Sequence, residues 1–507
     1  GSCIGCNLIY SGNHYEALEK DSYGKIRFVS GINPQSFSWE LTPEAHFDTP
    51  EAVLSYSSKG YGGLSRQLHS FVREHIVRGV WKRKPRPVLL NSWEACYFKI
   101  DEKKLLQLAK AGKDVGIELF VMDDGWFAGR NDDTSSLGDW EPDPKKLPGG
   151  IASLSKKIKA LGVDFGLWVE PEMISENSRL YQEHPDWTMT IPGHPHSEGR
   201  NQRLLDLCNP EVQQYVIDSM TKVFSSGDIR YVKWDMNRNF SDIYSPYLPA
   251  AKQGETAHRY VLGLYHIMNE LTARFPEILF EGCSSGGNRF DLGILSYFPQ
   301  IWASDNTDAL CRTGIQNSYS YGYPLSVFTA HVSSCPNHQT LRITPLETRF
   351  QVASFGVLGY ECNLKDLSGS DLNAIREQIA LYKKWRDVFQ FGTFYRGTEN
   401  EDSDSETLSW TCVSPDGRRA VGLFFRRLAV PNQSHDWYRP VELLPDVKYH
   451  FYGRNIKYNL KDFGDLVNTV SPVHIKQGSA LQEILSRFVN MDGEKEDLTA
   501  YGDTLMR

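Results

Sequence analysis

Eight short apolar runs separated by amphipathic segments fill the chain between Pro87 and Leu358, and this alternation restricts the fold more than any other feature. The runs span residues 88–91, 117–122, 163–169, 229–234, 278–280, 301–302, 325–328 and 353–358. Each is rich in Val, Ile, Leu and Phe, as strands buried on both faces are. Helical spacing joins Leu105, Leu106 and Ala109. It also joins Val212, Tyr215, Val216, Met220 and Val223, with Asn209 placed as N-cap and Pro210 at the first helical position. A third set is Tyr260, Leu264, Ile267 and Leu271, and Ser370 is expected to cap a last helix through Ile375, Ile379, Tyr382 and Trp385. Strand–helix alternation implies an α/β fold with a parallel sheet. Eight strands over about 300 residues suit a (β/α)8 TIM barrel with long loops. An open doubly wound sheet is the alternative, but no Gly-x-Gly-x-x-Gly follows the first strand.

The flanks read differently. Residues 1–80 carry strand-like pieces at 7–10, 26–29, 36–41 and 52–56, then a helical pattern through Leu64, Leu68, Phe71, Val72 and Ile76. Four short strands are few for an independent sandwich, so they are expected to be the remnant of a larger N-terminal β domain. Lys-Arg-Lys-Pro-Arg-Pro at 82–87 reads as a stiff linker. The barrel is assigned to 81–390. In 391–507, segments 408–413, 420–425, 438–443, 449–451 and 475–477 read as strands between Asp, Gly, Pro and Asn turn residues, which predicts a C-terminal antiparallel β-sandwich. Residues after Val489 are polar and are expected to fray.

The charge balance narrows the partners. Lys+Arg total 55 against Asp+Glu 63, a net −8, with no basic block to follow a phosphate backbone, so nucleic acid is not expected. No apolar run reaches spanning length, and a membrane is not expected either. Nine cysteines are spread thinly, as reduced thiols of a cytoplasmic protein would be. Cys3 and Cys6 form a lone CxxC without a second pair.

Polar residues gather at the C-terminal ends of the expected barrel strands, where such barrels build their sites. They include Asn91, Trp93 and Glu94 after the first run, Asp123, Asp124 and Trp126 after the second, and Trp168, Glu170 and Glu172 at the third. Lys233, Asp235, Asn237 and Arg238 follow at the fourth, Glu281, Cys283 and Gly286 at the fifth, and Asp305, Asn306 and Asp308 at the sixth. Alternation places Lys233, Asp235 and Asn237 on one side of an extended chain, so the lysine is expected to hold Asp235 ionised, as a nucleophile requires. A structural ion pair capping a strand is the plainer alternative. Asp123 and Asp124 also read as a helix-capping pair or a metal site, and His194 and His196 supply two of the ligands a zinc site needs without a third. Glu170 and Glu172 form a rival catalytic pair. Together the residues make a site rich in carboxylates and tryptophans with no clear metal or dinucleotide motif. That suits glycoside hydrolysis: one carboxylate attacks, another protonates the leaving oxygen, and indole rings hold the sugar.

Five motifs, in this order, resemble an α-galactosidase of glycoside hydrolase family 36: Met-Asp-Asp-Gly-Trp-Phe at 122–127, Gly-Leu-Trp-Val-Glu-Pro-Glu-Met at 166–173, Lys-Trp-Asp-Met-Asn-Arg at 233–238, Glu-Gly-Cys-Ser-Ser-Gly-Gly at 281–287 and Trp-Ala-Ser-Asp-Asn-Thr-Asp at 302–308. The resemblance implies an N-terminal β-supersandwich, a (β/α)8 barrel and a C-terminal β-sandwich, with most of the first domain missing here. It implies Asp235 as nucleophile and Asp305 as acid/base. It implies that Asp123 and Asp124 bind the galactose 4- and 6-hydroxyls, and that Trp93, Trp168, Arg200, Lys233, Asn237, Cys283 and Gly286 line the sugar subsite. No metal or cofactor is implied. The expected partners are an α-galactoside of the melibiose or raffinose type and further copies of the chain, as family members are often homotetramers.

These roles agree with elementary chemistry. Galactose differs from glucose in one axial hydroxyl, and fixed acceptors there reject the wrong epimer because an unpaired buried acceptor is costly. In a retaining mechanism the two carboxyl groups stand about 5–5.5 Å apart. The alternatives on this scaffold are an α-galactosyl transferase of the raffinose- or stachyose-synthase kind, an α-N-acetylgalactosaminidase, a metal-dependent hydrolase, and a catalytically silent sugar-binding protein.

Overall fold

The computed structural model describes residues 1–397, 407–427, 437–486, 488–493 and 495–507. Two compact units emerge, one of residues 1–367 with 375–391 and one of 368–374 with 392–507.

In the first unit, β1 (Cys3–Ile9) pairs antiparallel with β4 (Glu51–Ser57), and β2 (His14–Lys20) with β3 (Ile26–Ile32). Residues 36–41, expected as a strand, form none. Phe37 and Trp39 instead turn their rings onto His258, at 6.2 and 5.6 Å between centroids. The helix Gly60–Phe71 runs on as a π-helical turn, Val72–Ile76, burying Leu68, Val72 and Ile76 as their spacing predicts. Of the segment read as a linker, 82–87, Arg83, Lys84 and Pro85 are exposed, while Trp81 before it and Arg86 within it are packed. Trp81 shares a buried cluster with Leu89, Leu119, Val121, Tyr231 and Leu279, and its indole N–H donates to Ile278 O at 3.1 Å. Arg86 is 1% exposed and donates to Pro299 O at 3.2 Å.

Eight parallel strands then close a barrel. They are β5 (Leu89–Asn91), β6 (Leu119–Met122), β7 (Asp164–Val169), β10 (Ile229–Trp234), β11 (Leu279–Gly282), β12 (Gln300–Trp302), β13 (Phe328–Ser333) and β14 (Val357–Glu361), with β14 pairing back onto β5. A short antiparallel pair, β8 (Met173–Ile174) and β9 (Arg203–Leu204), sits in the loop between β7 and β10. Every residue of β6, β13 and β14 is buried, which accounts for the unbroken apolar texture of β6, whereas β13 buries Thr329, His331 and Ser333 as well.

Helices cover the strands. In Pro210–Phe224 the Asn209 side chain accepts the Glu211 N–H at 2.9 Å, the cap its sequence predicts. Thr256–Arg274 buries Tyr260, Leu264, Ile267 and Leu271, and Glu102–Val115 buries Leu105 and Ala109 while Leu106 lies half-buried. The last helix, Gly369–Phe391, begins before Ser370. Ser368 rather than Ser370 accepts a backbone N–H of its first turn, from Asp371 at 3.2 Å. Two expected strands are displaced. Residues 325–327 form a 3-10 turn ahead of β13, and Ala353 ends the helix Leu346–Ser354.

The second unit holds a three-stranded antiparallel sheet of β15 (Thr393–Arg396), β16 (Thr407–Val413) and β17 (Ala420–Arg426). It also holds the antiparallel pairs β18 (Lys448–Tyr452) with β21 (Asp497–Tyr501) and β19 (Lys457–Asn459) with β20 (Asn490–Asp492). Residues 438–443 and 475–477 are not strands. Tyr438 instead brings its hydroxyl to Thr411 at 2.9 Å, and Ile475 fills a small core with Leu460 and Val467. The end of the chain does not fray as expected, because β20 and β21 take it into pairing. No described helix is long and apolar enough to cross a membrane.

Candidate active site

The barrel sets the site by bringing the C-terminal ends of its strands to one mouth. At β10 the backbone N–H of Asp235 still donates to Val169 O of β7 at 2.8 Å, so the carboxylate leaves the strand in a fixed direction. Asp235 Oδ2 accepts the Trp168 indole N–H at 3.0 Å, and Oδ1 accepts the Met236 backbone N–H at 2.9 Å. Trp168 is itself held, its carbonyl accepting the Trp126 indole N–H at 2.8 Å.

Lys233 and Asp235 do share the mouth, but the lysine's hydrogen bond goes elsewhere. Lys233 Nζ meets Asp123 Oδ2 at 3.0 Å, and that oxygen also accepts the Asn91 amide at 2.7 Å. Burial is the largest influence and works against the Lys233 charge, but Asp123, Cys283, Glu361 and Asp235 together outweigh it, and the pKa stands well above its ordinary value. Trp168, not Lys233, is the side chain that contacts the Asp235 carboxylate. The strand's pleat aims Lys233 into the barrel axis, where Asp123 lies closer.

Asp124 faces a different cation. Arg130 Nη2 bonds its Oδ2 at 2.8 Å and Nε its Oδ1 at 3.0 Å, both partners being buried. Burial raises the Asp124 pKa against the pull of Arg130. The adjacent carboxylates are thus anchored apart, one to Lys233 and one to Arg130, as a fixed pair of acceptors requires.

Asp305 lies open to solvent in the recess after β12, where its Oδ1 accepts the Trp302 indole N–H at 2.9 Å. Its pKa is raised, first by the protein that walls the recess and then by the Asp235 charge, with Lys233, Trp302 and Arg200 opposing. Gly286 lies against the same loop at φ +87°, and a Cβ there would sit 2.7 Å from Asp305 N. Cys283 is buried, and burial followed by Asp235 lifts its thiol well above the ordinary range. Asn237 donates its backbone N–H to Glu170 at 2.6 Å and accepts the Ser285 hydroxyl at 3.1 Å. Trp93 is half-buried after β5, its backbone N–H donated to Asn91 Oδ1 at 2.7 Å.

Arg200 reaches Asp305 through its charge alone and makes its ion pair elsewhere. It is exposed, at φ +52°, and its guanidinium is 3.7 Å from Asp133. The rival pair is buried behind the mouth, with Glu170 against Asn237 and within reach of the Asp235 charge. Glu172 is fully engaged by Trp234, Tyr260 and Arg289, at 2.8–3.0 Å. Glu170 is pushed up to about 8 by burial and then by Asp235. His194 is exposed and His196 half-buried, both in the loop before β9.

Four supporting groups escaped the sequence reading: Arg130, Arg312, and the pair His331 and Glu361, whose Nδ1 and Oε2 are 2.7 Å apart. Burial pushes His331 down to about 3 and Glu361 up to about 8. For Arg130, a cation six residues beyond an Asp-Asp pair was the available signal. Arg312 lies just past the motif it supports, in the helix Ala309–Tyr319, where nothing marks its main-chain contacts, and His331 and Glu361 sit in β13 and at the end of β14, far in sequence from the other site residues.

Comparison with known proteins agrees with this architecture. Residues 46–392 match the family described as Melibiase, residues 1–42 the glycosyl hydrolase family 36 N-terminal domain, and residues 407–507 the corresponding C-terminal domain. The chain is 46% identical over 456 residues to alpha-galactosidase AgaA of Geobacillus stearothermophilus, covering 90% of this chain and 62% of that protein. It is 48% identical over 421 residues to alpha-galactosidase Mel36A of Lactobacillus acidophilus, covering 83% and 57%. The crystal structure of AgaA superposes with a TM-score of 0.87 over 89% of this chain and 62% of that one. The chain therefore spans about three fifths of the length of the curated relatives it matches. With the Melibiase match running through the whole barrel, the chain belongs to the Melibiase family, within glycosyl hydrolase family 36.

Proposed function

We propose that this chain is a retaining α-galactosidase that releases terminal α-linked galactose from oligosaccharides of the melibiose and raffinose type. The observation that carries the reading is the pair Asp235 and Asp305. One carboxylate accepts two N–H donors, and the other has its pKa raised by its enclosure and by the first one's charge. A carboxyl group whose pKa is raised can hold its proton beside a hydrogen-bonded carboxylate, which is how a site divides acid from nucleophile. Asp235 attacks the anomeric carbon to form a glycosyl-aspartate, while Asp305 protonates the departing oxygen and then takes a proton from the incoming water. Asp123 and Asp124, immobilised by Lys233 and Arg130, serve as acceptors for the sugar 4- and 6-hydroxyls. Trp93, Trp168, Arg200, Asn237, Cys283 and Gly286 complete the subsite. Solved structures of AgaA variants contain raffinose and stachyose, which end in the same sugar linkage. The free state of all nine cysteines supports a reducing, cytoplasmic location.

The test is hydrolysis of an aryl α-galactoside by the 507-residue chain, with the aryl α-glucoside and α-N-acetylgalactosaminide as controls. Selective turnover of the galactoside is expected. Preference for either control would overturn the specificity, and absence of turnover with all three would overturn the assignment of this chain as an enzyme.

A further inference from the structure

Trp302 ends β12 three residues before Asp305, and it is 3% exposed. It is held on two sides. The Arg312 guanidinium carbon lies 4.5 Å from the centroid of its ring, and the His331 ring centroid lies 4.3 Å away, tilted by 40°. Arg312 is buried, and its donors reach main-chain carbonyls: Ser304 O at 2.6 Å, Asn306 O at 2.8 Å and Thr329 O at 3.1 Å. Two of these carbonyls flank Asp305. One guanidinium thus fixes both the backbone that carries the acid and the face of the indole that donates to it.

We propose that Trp302, clamped by Arg312 and His331, is a positioning residue that aims the Asp305 carboxyl and sets how readily it gives up its proton. The proposal rests on the reading of Asp305 as acid/base. An N–H donor stabilises the ionised carboxylate, so it pulls against the enclosure that favours the neutral acid. Around Asp305, the Asp235 charge opposes ionisation, and Lys233 and Arg200 favour it. The Arg312 cation also faces Asp305, while Cys283 and Glu361, both raised by burial first and by the Asp305 charge among other causes, hold their protons. His331, pushed down to about 3 by burial, stays neutral and does not repel Arg312 across the ring. Trp302 is the group in this set that contacts Asp305 through a hydrogen bond.

The test is Trp302→Phe, which keeps an aromatic ring in the clamp and removes the donor. A hydrogen bond to a charged group contributes about 1.5–3 kcal/mol, and one pH unit corresponds to about 1.4 kcal/mol. The basic limb of the kcat/KM profile on an aryl α-galactoside is therefore expected to move up by about one pH unit or more. The same shift is expected in the Asp305 carboxyl carbon, followed by NMR in 13C-aspartate-labelled protein and assigned with Asp305→Asn. The NMR arm does not depend on turnover. If the titration moves while wild-type protein hydrolyses nothing, the positioning role holds and the functional reading fails. If wild-type protein turns over and neither the limb nor the titration moves, the positioning role is overturned. If Trp302→Phe does not fold, Arg312→Lys replaces it: one ammonium cannot span three carbonyls, and a smaller upward shift is expected. An unmoved Asp305 titration in that folded variant also overturns the inference.

Discussion

Gly286→Ala tests whether the loop after β11 shapes the acid's position. Two effects oppose an alanine there. The residue sits at φ +87°, where a side chain costs about 1–2 kcal/mol. Its Cβ would meet Asp305 N at 2.7 Å and Ser304 Cα at 2.9 Å, main-chain atoms that cannot swing aside. Overpacking of this kind costs about 1–3 kcal/mol. The combined penalty is about 2–5 kcal/mol, enough to lower the thermal midpoint of a unit this size by about 2–6 °C. The larger effect is on chemistry, because relief requires the Ser304–Asp305 backbone to move. Misplacing a reacting group by about 1 Å costs on the order of a hundredfold in rate. The assay is kcat on an aryl α-galactoside beside circular dichroism melts. The expected variant is folded, slightly less stable and slower by one to two orders of magnitude. Wild-type kcat would refute the argument that Gly286 is required by its approach to Asp305.

Asp235→Ala should abolish turnover while leaving the fold intact, and azide should restore part of the rate by occupying the space the carboxylate leaves. Unchanged turnover would remove Asp235 from the mechanism. Arg130→Ala should destabilise the protein by roughly 3–5 kcal/mol, because it strands the buried Asp124 carboxylate. Arg130→Lys should recover little of this, since one ammonium cannot reproduce the two-point contact, and a wild-type melting temperature in either variant would argue against the anchor. Glu361 binds its proton more tightly folded than unfolded, its pKa rising from 4.5 to about 8. It therefore lowers stability progressively as pH rises through that window. His331, depressed from 6.5 to about 3, acts in the opposite sense, costing stability as pH falls below 6.5. Glu361→Gln should flatten the decline in melting temperature between pH 6.5 and 8, where His331 no longer contributes; parallel curves for the two proteins would contradict the assignment.

The barrel was legible because each strand is buried on both faces and so is written as a continuous apolar run. β10 and β7 were bounded almost to the residue. β13 was not, because Thr329, His331 and Ser333 look like loop residues although all three are buried in the barrel. Only the closed sheet shows that such polar residues belong to a barrel strand. Sequence spacing placed Lys233 and Asp235 together but could not decide which carboxylate the lysine would meet, since Asp123 arrives from a strand 110 residues away in sequence. Arg312 left no signal because it acts through main-chain carbonyls and a ring face, neither of which is marked by a motif. In the second unit the runs at 408–413 and 420–425 became strands, whereas 438–443, interrupted by Pro440, became a loop whose Tyr438 hydroxyl bonds Thr411.

The central claim is a double displacement through Asp235 with Asp305 as acid/base. The most direct measurement is proton NMR of the first galactose released from an aryl α-galactoside, recorded before mutarotation. Two inversions at the anomeric carbon predict that α-galactose appears first and the β anomer grows in later. Initial release of β-galactose would mean a single displacement by water, and would contradict the assignment of Asp235 as nucleophile.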